Sequence, residues 1–345
     1  DPSKFSITVN LTMLMFPYMF FIGIMAVAMG VLNSLRHFAA PAFAPVFFNI
    51  AIIFSVFAIS PFMTTPVYSL AIGVLIGGAF QFFLQLPYLK RYGMTPYLSF
   101  AFNDPAIKKI FTMMGPAAFA VGVYQLNIFV TLWFASGLEV GSISYLYYAG
   151  RLMELPIGVF GVAVATATLP SLSESVSKKD WGEFKGSLSF AIRIVNFVTI
   201  PATAGFFVLG YPIVEALFKR GEFTSSDVAG TVAALFYYAV GLVPVSVARI
   251  LTSVFYSLKD TSTPLWVAVI SFFVNAALSF LLVGPLSFGG LALATSLSAF
   301  VNMTALLFIL RKKFGRIGLK RILASSLKSS AAAAVMGGVI YTAWI

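Results

Sequence analysis

Residues 142–170 read SISYLYYAGRLMELPIGVFGVAVATATLP, twenty-nine positions that carry only two charges, Arg151 and Glu154. A helix rises about 1.5 Å per residue, so this stretch is long enough to cross a hydrocarbon core roughly 30 Å thick. Arg151 stands nine residues in from Ser142, or about 14 Å deep, close to the midplane. A charge there costs on the order of 2.5–3.5 kcal/mol and belongs against a bundle interior or a watery cavity. Glu154 follows at i+3 and can pair with it. Ser144 precedes Arg151 by seven residues, two turns away on nearly the same face. Two readings fit these residues. One is an Arg–Glu pair that ties the bundle together. The other is a cationic wall for an anionic ligand group such as a diphosphate, which the planar guanidinium fork meets bidentately.

The rest of the chain supports a membrane solvent. Of 345 residues 60% are hydrophobic and 10% charged, and mean hydropathy is +0.96, against about 25% charged in soluble domains. Windows long enough to span lie near 11–35, 42–60, 66–89, 110–136, 141–170, 187–210, 229–257, 264–284, 288–310 and 322–345, and six of the ten hold no charged residue. β-barrel strands would be about ten residues long with strict alternation. With no cysteine and one histidine, His37, thiolate sites and soluble-type triads have nothing to be built from.

Net charge is +11, but the basic residues fall in the gaps between apolar runs, so they report topology and give no reason to expect nucleic acid. One set of gaps and flanks holds 17 of the 22 basic residues, the opposite set only Lys4, Lys219 and Arg220. The basic side is expected in the cytoplasm. Arg249, within a span, is expected to snorkel towards headgroups. Residues 171–185 and 211–220 read as short amphipathic helices lying on the membrane. Asp1 is not a methionine and Ile345 ends inside an apolar run, so the chain reads as an internal portion of a longer one.

An internal echo is visible. Ser34-Leu35-Arg36, Pro41 and Asn49 correspond to Ser257-Leu258-Lys259, Pro264 and Asn275. Leu70-Ala71 and Leu89-Lys90-Arg91 correspond to Leu291-Ala292 and Leu310-Arg311-Lys312. Parallel repeats of this kind place a ligand site between two halves. The polar residues Gln125, Asn127, Asn275 and Thr295 lie in spans that hold no acid, where interhelical hydrogen bonding is the better reading than a cation site.

With FPYMFFIGIMAVAMGVLNS (16–34), FAAPAFAPVFFNI (38–50), QLPYLKRYGM (85–94), YYAGRLMELPIGVFGVAVATATLPSLS (147–173) and FYSLKDTSTP (255–264) in place, the chain resembles the MurJ (MviN) family of lipid II flippases. That family lies within the multidrug and oligosaccharidyl-lipid exporter superfamily. The resemblance implies an all-α, two-lobed integral membrane bundle, with about ten of fourteen helices present. It implies 1–93 as the second half of the N-terminal lobe, 94–109 as an inter-lobe loop, 110–313 as the C-terminal lobe, and 314–345 as a loop plus the first extra helix. It implies no enzyme and no cofactor. The function would be alternating-access transport of lipid II across the bacterial cytoplasmic (inner) membrane for cell-wall synthesis, with Arg151, Glu154 and Ser144 in a substrate-binding central cavity. Expected partners are lipid II, membrane lipids and the cell-wall synthesis machinery. Some relatives bind sodium through acidic groups. Asn275 and Thr295 match parts of that site without its carboxylates, leaving sodium or the membrane potential open as the energy source. The alternatives are a flippase for another polyprenyl-linked glycan, a multidrug antiporter of the same fold with Glu154 as its acid, or a non-transporting scaffold.

Overall fold

The computed structural model describes residues 2–94 and 104–344, all helical or turn, with no strand among them. The loop expected at 94–109 falls largely outside the described residues. The chain divides into two compact units, 1–103 and 104–345.

In the first unit α1 (Pro2–Met15) and α2 (Tyr18–Ser34) run on as one apolar helix, interrupted at Phe16-Pro17. Proline lacks the donor that would continue the ladder. α3 (Ala39–Ile59) and α4 (Val67–Arg91) pack along each other, and α2 packs on α4. Glycine sets the approach of α3 to α4. A Cβ at Gly73 would stand 2.9 Å from the Ile52 Cα, and one at Gly77 2.7 Å from the Phe48 ring and 3.1 Å from its carbonyl oxygen. This is the small-xxx-small packing of bilayer helices, where close backbone contact replaces the hydrophobic drive. The buried Ser55 hydroxyl donates to the Ser69 carbonyl at 2.6 Å across the same seam.

The second unit begins with α5 (Pro105–Ser136). α6 (Ser142–Pro156) continues through a π-helical turn (Ile157–Val162) into α7 (Ala163–Ser177). α8 (Trp181–Phe218) follows, with Asp180 accepting from the backbone N–H groups of Gly182 and Glu183, an N-cap. α9 (Ser225–Ala239) and α10 (Leu242–Ser257) form one apolar span bent by 48°. At the bend the Ser296 hydroxyl donates to the Tyr237 carbonyl at 2.7 Å, re-satisfying backbone freed inside the membrane.

α11 (Ser262–Phe314) is 53 residues long, but Ser287 has non-helical angles, φ 51° and ψ −135°. A Cβ at Gly290 would lie 2.2 Å from the Leu282 carbonyl oxygen. Eight residues of unbroken helix would separate them by about 12 Å, so the chain turns back and α11 makes two arms, 262–286 and 288–314. α12 (Leu319–Trp344) packs on α8, where Asn196 Nδ2 donates to the Ser326 hydroxyl at 2.9 Å.

Among the described residues seven helices are long and apolar enough to cross a bilayer, the α9–α10 pair adds an eighth, and α5 carries a shorter apolar stretch at Val121–Ser136. With the arms of α11 taken separately, these elements match the ten windows read from sequence. The two stretches expected to lie on the membrane surface do not form separate helices. Residues 171–177 end α7 and 181–185 begin α8, while 211–218 are its last two turns. Val214 is fully buried in the core around α6 and α9, so the amphipathic pattern there marks a helix end buried on one side.

Several helices end in the same backbone turn. After α2 the Arg36 N–H bonds the Asn33 carbonyl and the His37 N–H the Leu32 carbonyl. Lys259 and Asp260 do the same after α10, and Lys179 and Asp180 after α7. This is a Schellman cap, and its left-handed position holds Arg36 (φ 59°), Lys259 (φ 59°) and Lys179 (φ 56°) where glycine is usual.

Candidate functional site

One face of α6 is built to be buried. Tyr145, Leu146, Ala149, Leu152 and Met153 pack into a core with Val228, Val232 and Leu235 of α9. Tyr145 fills the space left by Gly141 and Gly230, and its hydroxyl meets Asp227 Oδ1 at 3.2 Å. With that face fixed, helical period places Ser144, Tyr147, Arg151 and Glu154 in a stripe on the other side, and all four are exposed. Arg151 Nη1 donates to Glu154 Oε2 at 2.7 Å, with both side chains more than half exposed (56% and 59%). The guanidinium lies 5.0 Å over the Tyr147 ring, a cation–π contact.

Among the described residues neither Arg151 nor Glu154 hydrogen-bonds or ion-pairs with another helix. The pair thus runs along one helix and bridges to no other among the described residues. An exposed pair at i,i+3 adds little stability by itself, about 0–1 kcal/mol. The stripe leaves donors of the guanidinium free for a ligand oxygen, with a carboxylate alongside to orient it. Past Pro156 the helix widens into its π turn, a feature frequent at functional sites.

The second unit also holds an open pocket of about 540 Å³ between α5, α7, α10 and both arms of α11, mostly apolar in surface but carrying several polar side chains. Asn127, Arg249, Thr252, Thr295, Ser298 and Asn302 are on its wall. Asn275, fully buried beside it, donates through Nδ2 to Asn127 Oδ1, an interhelical bond of the kind the sequence suggested. Asn275 Oδ1 has no hydrogen-bond partner. The Thr295 hydroxyl donates along its own helix to the Leu291 carbonyl at 3.0 Å. No cluster of three acidic or histidine side chains suited to a metal occurs among the described residues. Arg249, expected to reach towards headgroups, is exposed and lies on the pocket wall.

Sequence reasoning passed over this cavity because its walls come from five helical segments. Small polar residues at Thr295, Ser298 and Asn302 (i, i+3, i+7) and at Arg249, Thr252 and Ser253 (i, i+3, i+4) were the available signal. Outside the spans, Asp260 is held below the usual aspartate range. Its partial burial opposes ionisation, but hydrogen bonds from Lys313 and from the Thr263 backbone and hydroxyl outweigh it.

Comparison with known proteins agrees with this architecture. The family model for the lipid II flippase MurJ matches residues 1–344. The probable lipid II flippase MurJ of Vibrio cholerae serotype O1 is 40% identical over 303 residues, 88% of this chain and 58% of that protein. The lipid II flippase MurJ of Burkholderia cenocepacia is 36% identical over 317 residues, 91% of this chain and 61% of that protein. The chain thus spans about three fifths of the length of these relatives. A solved lipid II flippase MurJ in an inward closed conformation superposes with a TM-score of 0.82 at 27% identity, covering 96% of this chain and 72% of that one. An inward-facing multidrug resistance MATE family transporter shares the fold, with a TM-score of 0.71 at 14% identity over 94% of this chain and 71% of that one.

Proposed function

Because the chain belongs to the MurJ family of lipid II flippases, we propose that the intact protein moves the polyprenyl-diphosphate-linked cell-wall precursor across the bacterial inner membrane by alternating access. The observation that carries this reading is the Ser144–Tyr147–Arg151–Glu154 stripe, an exposed polar line along α6, the first part of a long apolar span. Arg151 receives the diphosphate, because a guanidinium offers paired donors to phosphate oxygens and keeps its charge at any physiological pH. Glu154 holds the guanidinium in register along the helix axis and Tyr147 supports it from below. Ser144 adds a hydroxyl two turns away. The cycle moves a ligand and makes no covalent bond, so binding and release are the whole of the chemistry.

The experiment is rescue of cells depleted of their own lipid II flippase by the full-length protein. Arg151→Ala is expected to abolish rescue at normal expression, and Arg151→Lys to restore part of it. Full rescue by Arg151→Ala would remove the stripe from the mechanism.

A further inference from the structure

We propose that the pocket of the second unit is an oxyanion site centred on Arg249, taking a phosphate-class group rather than a metal cation. The lining contains no aspartate or glutamate, so its one formal charge is positive. Among the described residues the Arg249 guanidinium has neither a hydrogen bond nor an ion pair, although it lies eight residues inside the span that ends at Ser257. An uncompensated guanidinium inside a membrane is costly and marks a ligand path or a partner. One nearby amide has its donors uncommitted. Asn127 spends its carbonyl oxygen on Asn275, which leaves its Nδ2 donors to the cavity. Asn302 and Tyr124 line the same wall with no internal partner among the described residues. A cation would meet a guanidinium and amide N–H groups, whereas an oxyanion would meet a fork of donors. The volume, about 540 Å³, lies in the range of small-ligand pockets, roughly 300–1,000 Å³. It leaves room for water around a phosphate or diphosphate. The inference concerns a wall built within the second unit and stands whether or not Arg151 carries the transport step.

Two sources could supply this chemistry, a soluble phosphate or the phosphate of a lipid headgroup. The test therefore has two arms, both run on the intact protein in the Arg151→Gln background so that the α6 stripe does not contribute. In phosphatidylcholine nanodiscs, sodium pyrophosphate is titrated at constant ionic strength while Tm is followed. In mixed phosphatidylcholine and phosphatidate, native mass spectrometry counts the phosphatidate retained. Stabilisation or retention is expected in one arm or both, and the responding arm identifies the source. Adding Arg249→Gln should weaken the effect by about tenfold or more, because charge-assisted bidentate bonds are the strong ones. Arg249→Lys should fall between, keeping the charge without the fork. If Arg249→Gln does not yield folded protein, Asn302→Ala is read in the same way, with a severalfold loss expected. No response in either arm, an unchanged response without Arg249 (or, in the fallback, without the Asn302 amide), or stabilisation by sodium whatever the anion, overturns the proposal. A response seen in the wild-type protein but lost in the Arg151→Gln background overturns it too, and leaves the transport reading intact.

Discussion

In the first unit α3 and α4 close on each other through glycine, while the corresponding arms of α11 both contribute side chains to an open pocket. The two pairs are copies in sequence. The register that aligns Leu70-Ala71 with Leu291-Ala292 places Gly73, Gly77 and Gln81 opposite Ala294, Ser298 and Asn302. In α4 the glycines admit the Phe48 and Ile52 backbone to van der Waals contact. In α11 the matching positions carry side chains, and Ser298 and Asn302 face the cavity. The copies thus differ at these positions: glycine admits a neighbouring backbone in α4, whereas Ser298 and Asn302 bring side chains to the pocket wall in α11.

The copies also fasten their corners differently. After α2, His37 stacks on Tyr88 at 4.7 Å and lies 5.9 Å from Tyr92. After α10, Asp260 takes an ion pair from Lys313 and hydrogen bonds from Thr263 at the start of the first arm. Identical backbone turns are held by rings in one copy and by charges in the other.

Gly77→Val in the full-length protein is the largest expected perturbation. Its added atoms meet the Phe48 ring and backbone, and overpacking of this kind costs about 1–3 kcal/mol. Size-exclusion yield and Tm should drop sharply, while Ser298→Val, at the matching position of α11 where no neighbouring backbone is in contact through glycine, should lower both by less. Equal losses would erase the contrast between seams.

Asp260→Asn comes next, at about 1 kcal/mol for the weakened cap and lost ion pair. The Asp260 carboxyl is held below its ordinary value, so its stabilisation is present above about pH 4 and lost as pH falls through the depressed folded value. A plot of Tm against pH should show wild type converging on the variant on the acid side only. Convergence on the alkaline side would show that the ion pair is not what holds this corner.

His37→Phe is the smallest. Ring stacking is kept, so Tm should change by less than about 0.5 kcal/mol, whereas His37→Ala removes an aromatic pair worth roughly 0.5–1.5 kcal/mol. A large loss in the phenylalanine variant would mean that the imidazole nitrogens matter at this corner and that both copies rely on polar fastening.

The spans were legible because insertion depends on composition summed over twenty residues, and the turn near Ser287 was legible as a gap between two apolar windows. The stripe on α6 was legible because a charge so deep in lipid has few explanations. The cavity was not, since serine, threonine and asparagine in membrane helices serve equally as glue between neighbours, and only the path of the backbone decides whether a neighbour is there. The surface helices expected at 171–185 and 211–220 failed for a related reason. A helix end buried on one side by Val214 has the same periodicity as a helix floating on headgroups.

The corners at Arg36, Lys179 and Lys259 each place a long cationic side chain in a left-handed conformation that costs a non-glycine residue roughly 1–2 kcal/mol. Once folded, the molecule would be more relaxed with glycine there. Each of these corners therefore keeps its charge at the expense of local backbone stability.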